Sequence, residues 1–147
     1  MIDADENELR RPLGLNLLAG LYLFFFLISS STFGNPFPFL GHIYEGAPAK
    51  ALVLVDSLIC LYLFLGVMKR QLLTWYLLLG YNLFEILNTI INLSFISRPE
   101  LERVLGARIA QETLLFNNIA AALAILLLSQ FIYRHKHYFT SREKYLF

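Results

Sequence analysis

LLTWYLLLGYNLFEILNTIINLSF, residues Leu72 to Phe95, decides the fold. The run is long enough to cross a bilayer, which takes about 20 residues at 1.5 Å each. It carries a single acid, Glu85, in a row of polar residues: Asn82, Glu85, Asn88, Thr89 and Asn92. These recur at steps of three and four, so on a helix they fall within about a third of the circumference. A spanning helix cannot show a carboxyl, amides and a hydroxyl to lipid. That face is expected against other helices or a water-filled cavity.

The rest of the chain agrees. Of 147 residues, 57% are hydrophobic, and the mean hydropathy is +0.57; soluble domains sit nearer 45–50% apolar. Length allows one domain, residues 1–147. A formal charge of +1 with no basic stripe gives no reason to expect nucleic acid. One cysteine, Cys60, excludes an internal disulfide and a CxxC redox or zinc site. The expected class is an all-α integral membrane protein.

Taken in order, MIDADENELRRPLG is acidic before it is basic, unlike a secretory signal, so the first apolar run reads as a retained helix. Pro12 suits a first helical turn. Spans are expected at about 13–30, 49–68, 72–95 and 113–133, making a four-helix bundle. Between the first two lies FGNPFPFLGHIYEGAPAK, too rich in Pro and Gly for a regular helix. With Phe33, Phe37, Phe39 and Tyr44 it reads as an amphipathic loop at the interface. Lys69 and Arg70 close the second span, and the short turn after them makes spans two and three antiparallel neighbours. Trp75 and Tyr76 suit the aromatic belt. After Phe95, Pro99 fits the start of a short amphipathic helix with Leu101, Val104 and Leu105, lying on the membrane in the second outer loop.

Lys and Arg set the orientation. Arg10, Arg11, Lys69, Arg70, Arg134, Lys136, Arg142 and Lys144 collect on one side, and Lys50, Arg98, Arg103 and Arg108 on the other. Both termini are therefore expected in the cytoplasm. At 1.5 Å per residue, Asp56 lies roughly 10 Å below the outer surface and Glu85 about 20 Å above the inner one, at comparable height. Asn88, Asn92, Asn117, Asn118 and Ser29 to Thr32 fall in the same half. The expectation is a polar cavity in the outer leaflet, closed toward the cytoplasm and lined by Asp56, Cys60, Asn82, Glu85, Asn88, Asn92 and Asn118. If Asp56 and Glu85 face each other, they can share one proton. No Lys or Arg within the spans can pair with them, though Lys50 reaches part of the way from its own helix. Gln111, Asn118, Ala122 and Ser129 form a stripe suited to facing the bundle.

Each of these has a plainer reading. Amides and acids also lock small bundles together, and a Glu85–Asn118 bond would be such a lock. Cys60 reads more readily as a plain buried thiol than as a cavity residue. His42 lies in the outer loop, and His135 and His137, two apart, do not share a helical face, so neither metal nor haem is expected. No cofactor is expected. Tyr138, Phe139, Tyr145 and Phe147 in the basic tail suit anionic lipid or a docking partner.

The opening RRPLGLNLLAGLYLFFFLIS resembles, over residues 11–28, the first span of small bacterial four-helix membrane proteins that begin Arg-Pro-x-Gly and a Leu/Ala-rich run. The resemblance implies a bacterial inner-membrane location and brings no catalytic residue. Small size, short loops and no reaction constellation lead to an accessory or structural subunit, packed in a larger membrane complex or a homo-oligomer. The alternative is a protein that binds or moves a small ligand or proton through the Asp56–Glu85 cavity. A membrane-embedded enzyme on lipid or quinone comes third, lacking a visible nucleophile–base pair or redox site.

Overall fold

The computed structural model describes residues 12–106, 108 and 110–142. Arg10, Arg11, Lys144, Tyr145 and Phe147 lie outside the described residues. Four helices are long and apolar enough to cross a membrane. They are α1 (Leu13–Ser31), α2 (Ala47–Met68), α3 (Leu72–Phe95) and α5 (Gln111–Arg134), with the short α4 (Arg98–Leu105) between the last two. Their exteriors invert the soluble pattern. Leu17, Phe24, Leu54, Leu58, Leu83, Ile90, Phe116 and Leu127 all stand exposed, as lipid-facing residues do.

Local chemistry sets the ends. Pro12 stands just before α1 rather than inside it, and its carbonyl accepts from the Leu15 and Asn16 amides. Thr32 Oγ1 donates to the Ser29 carbonyl and Ser31 Oγ to that of Ile28, so hydroxyls cover carbonyls the last turn leaves open. Pro48 lies in the first turn of α2, which therefore starts two residues before the expected 49. Around α4 the expectation holds: Ser97 accepts from the Glu100 amide at the start, Pro99 sits in the first turn, and left-handed Gly106 ends it.

The Pro-rich connection is more ordered than an interfacial loop. Phe37–Phe39 (β1) and His42–Tyr44 (β2) pair antiparallel in the register Phe37↔Tyr44, Pro38↔Ile43, Phe39↔His42. Leu40 and Gly41 make the turn, both at positive φ (48° and 89°), as a two-residue hairpin requires. Phe39–His42 closes that turn, so Pro38–Ile43 is a wide pair and the amide Pro38 lacks is not needed by the ladder.

The helices pack as two pairs, α1 with α2 and α3 with α5. α2 and α3 are antiparallel neighbours as expected, packed closest beside their turn. There Gly66 meets Thr74 so tightly that a Cβ would collide with the threonine side chain. Farther along, a groove of about 680 Å³ separates them.

The apolar core gathers at this turn end. Leu15, Leu18, Ala19 and Tyr22 of α1 meet Leu63 and Val67 of α2, Trp75 and Leu78 of α3, and Ile132 of α5. The segment after α5 closes it from below. Phe139 is buried among these residues, which corrects the expectation that it meets lipid or a partner. Leu72 N donates to the Ser141 carbonyl (2.7 Å), Ser141 N to that of Arg70 (2.9 Å), and Arg70 Nε to that of Tyr138 (2.8 Å). Trp75 Nε1 donates to the Ile132 carbonyl at 2.8 Å, and the Lys136 ammonium sits 4.7 Å from the Trp75 ring centre.

Candidate functional site

Away from the closed end the two helix pairs part, and the polar residues of α1, α2 and α3 meet in the gap. Asp56 is the hub. Ser29 Oγ donates to Asp56 Oδ2 and Tyr81 OH to Asp56 Oδ1, each at 2.7 Å. Ser57 Oγ donates to Ser29 Oγ at 3.1 Å. Tyr81 has one hydroxyl proton and gives it to Asp56, so across the 3.4 Å contact with Cys60 Sγ the thiol is the donor. A chain of donors drawn from three helices thus ends on one carboxyl.

Glu85 follows Tyr81 by one turn of α3, on the same face. It lines a cavity of about 300 Å³ with Ser29, Asp56, Cys60, Tyr81, Asn82, Phe25 and Phe37. On their other side the two acids line a second pocket of about 200 Å³, walled by Phe37, Phe39, Leu52, Ile59, Phe84 and Asn88. Among the described residues no Lys, Arg or His forms an ion pair with either acid. The Lys50 ammonium lies 6.0 Å from the Phe33 ring centre and does not bond Asp56.

Asn82 adds a demand of its own. It is 2% exposed, and its Oδ1 accepts from Tyr22 OH at 2.7 Å. Its Nδ2 is buried with no hydrogen-bond partner. A buried donor left without an acceptor costs about 1–3 kcal/mol. Asn82 lines the 300 Å³ cavity, where an acceptor could stand.

The cavity set read from the sequence therefore divides. Asp56, Cys60, Asn82 and Glu85 come together. Asn88 borders the second pocket, but its Oδ1 accepts from the Leu40 amide at 2.8 Å. Asn92 Oδ1 accepts from the Gly41 amide at 2.8 Å, so both asparagines hold the hairpin turn. Asn118 is elsewhere. Its Nδ2 donates to the Leu114 carbonyl of its own helix, and with Asn92 it borders a separate pocket of about 100 Å³. The Glu85–Asn118 lock is not formed. Asn118, Ala122 and Ser129 are half-buried as the stripe predicts, while Gln111 is exposed.

Tyr22 and Tyr81 were not among the residues singled out. The signal was present: a tyrosine in mid-span must place its hydroxyl somewhere, and Tyr81 stands four residues before Glu85. None of the histidines lies at the site. His42 is in β2, and His135 stacks on Phe131 at the closed end, 4.1 Å between ring centres. Among the described residues no group of His, Cys, Asp and Glu could hold a metal.

No family model matches the chain, and neither a curated protein nor a solved structure proves similar to it.

Proposed function

We propose that this is a membrane-embedded binding protein whose small ligand occupies the cavity at Asp56 and Glu85. The observation that carries this reading is the convergence of two carboxyls, with no cation paired to them among the described residues, on a cavity that also holds a buried, unpartnered amide nitrogen. A bundle needing only helix locks gains nothing from leaving a donor unsatisfied beside open space. An acid within a spanning segment costs about 2.5–3.5 kcal/mol on insertion scales, which points to use.

In the same reading the whole chain is one membrane domain, lying in a bacterial inner membrane with both termini in the cytoplasm. Lys69, Arg70, Arg134 and Lys136 then flank the cytoplasmic face. The hairpin and the cavity belong to the outer half, and ligand binding or transport is the activity.

A specific observation favours a second reading, an accessory subunit of a larger or homo-oligomeric complex. Of α5, Ile132 alone is buried, and Asn117 is exposed on the same helix as Phe116, Leu123 and Leu127. An amide facing outward from a spanning helix is a contact for another helix.

One experiment separates the two. The particle is extracted gently from its native membrane, weighed by native mass spectrometry and stripped of its small molecules. A monomer or small homo-oligomer carrying a stoichiometric non-lipid or lipid-like molecule supports the binding protein. Copurifying larger subunits with an empty cavity would overturn it in favour of the accessory reading.

A further inference from the structure

Resting on that ligand-binding reading, we propose that the ligand is an amphiphilic amine. Its protonated nitrogen lies between Asp56 and Glu85, an oxygen close to the nitrogen accepts from Asn82, and its hydrocarbon chain lies in the groove between α2 and α3.

Three features of the molecule each select one part of this ligand. The first is charge. Asp56 already receives hydroxyls on both oxygens, yet a carboxylate has about four lone-pair sites, so capacity remains on it for a donor. With no cationic side chain paired to either acid among the described residues, the missing partner is a positive group. Phe37, Phe39, Phe84 and Tyr81 wall the two acid pockets, and aromatic faces favour an organic ammonium over a hydrated metal ion. The second is the Asn82 amide nitrogen, nine-tenths buried and more, which calls for an acceptor in the same cavity. An amine with a neighbouring hydroxyl or ether oxygen supplies it; a bare proton or metal ion does not.

The third is the groove of about 680 Å³, lined by Leu58, Tyr62, Leu77, Gly80 and Phe84 among others. It is overwhelmingly apolar, and Tyr81 and Phe84 belong both to its wall and to the pocket against the acids. Groove and acid pocket are thus adjacent, with these two side chains between them. Gly80, in the wall of this groove, leaves open space where a Cβ would stand. A head recognised by charge and a tail recognised by apolar surface describe one molecule.

The test uses the full chain in lipid nanodiscs, with binding to empty discs subtracted. The probes are radiolabelled dodecylaminoethanol, its short-chain analogue butylaminoethanol, and dodecyloxyethanol, the neutral ether of the same shape. Saturable binding of the long amine is expected, with the ether about tenfold weaker, the loss of one charge contact. Glu85→Gln, a near-isosteric change, should weaken the amine about tenfold and leave the ether unaffected, and Asp56→Asn should act the same way. Gly80→Leu should weaken the long amine about tenfold more than the short one, because it fills the groove and leaves the acids in place. If the ether competes as well as the amine, the charge inference is overturned while the ligand cavity stands. If neither compound binds saturably, the amine inference is overturned, and a native particle that is also empty overturns the ligand cavity with it.

Discussion

The two ends of the bundle are built on opposite rules. At the α2–α3 turn each of the four long helices contributes a large side chain, Trp75 has a partner for its N–H, and Ser141 bonds to both sides of the turn. At the hairpin end the helix pairs part, the contacts are hydroxyl to carboxyl, and an amide nitrogen is left over. One end is closed by packing and the other is held open by polar groups. The difference teaches where this molecule carries its stability and where it leaves a polar group unsatisfied.

The contrast makes ranked predictions. The largest effect belongs to the closed end: Trp75→Ala should cost about 3–5 kcal/mol, since it opens a cavity and strips the Ile132 carbonyl of a donor. Thermal unfolding in detergent reads it, and a loss under about 1 kcal/mol would break the comparison. Next comes Gly66→Ala, which forces a methyl into Thr74 and should cost about 1–3 kcal/mol. Thr74→Ala in the same chain should restore part of that, as a double-mutant cycle measures.

Asn88→Ala and Asn92→Ala should each remove about 1 kcal/mol from the hairpin alone. Amide exchange at Leu40 and Gly41 should speed up while the melting of the helices stays in place. The smallest effect should be Glu85→Gln, within about 0.5 kcal/mol of wild type in stability. A large loss there would make Glu85 a helix lock and erase the distinction between the ends.

The part of this legible beforehand was the part encoded in periodicity. Hydropathy located the four long helices to within two residues at each end, and Pro99 with the spacing of Leu101, Val104 and Leu105 located α4. The row on α3 correctly named a polar face. A face does not name its partners, however. Asn82 and Glu85 turn to the cavity, whereas Asn88 and Asn92, one and two turns on, take backbone amides from the hairpin. Those amides lie in the Pro-rich connection, whose folding no local signal announced. Its turn is Leu-Gly rather than Asn-Gly, and a leucine at positive φ is strained on its own. Asparagines some fifty residues away supply the acceptors that hold it, which local pattern cannot register. The short α2–α3 turn rightly made these helices neighbours, but a turn does not say how far along two helices stay packed. Asn118 was placed by depth and by its stripe; it does turn inward, but its amide bonds its own helix and borders a different pocket, which neither depth nor stripe can tell.

The bonds between Ser141 and both flanks of the α2–α3 turn have a consequence for how the protein is made. A chain leaves the ribosome from its beginning, so α1, α2 and α3 are in the membrane before residues 138–141 exist. Until then Leu63, Val67 and Trp75 lack the covering that Phe139 and Ile132 provide, and the Leu72 amide and the Arg70 carbonyl lack their partners. The turn forms early, waits open, and is sealed only by residues made after the fourth long helix.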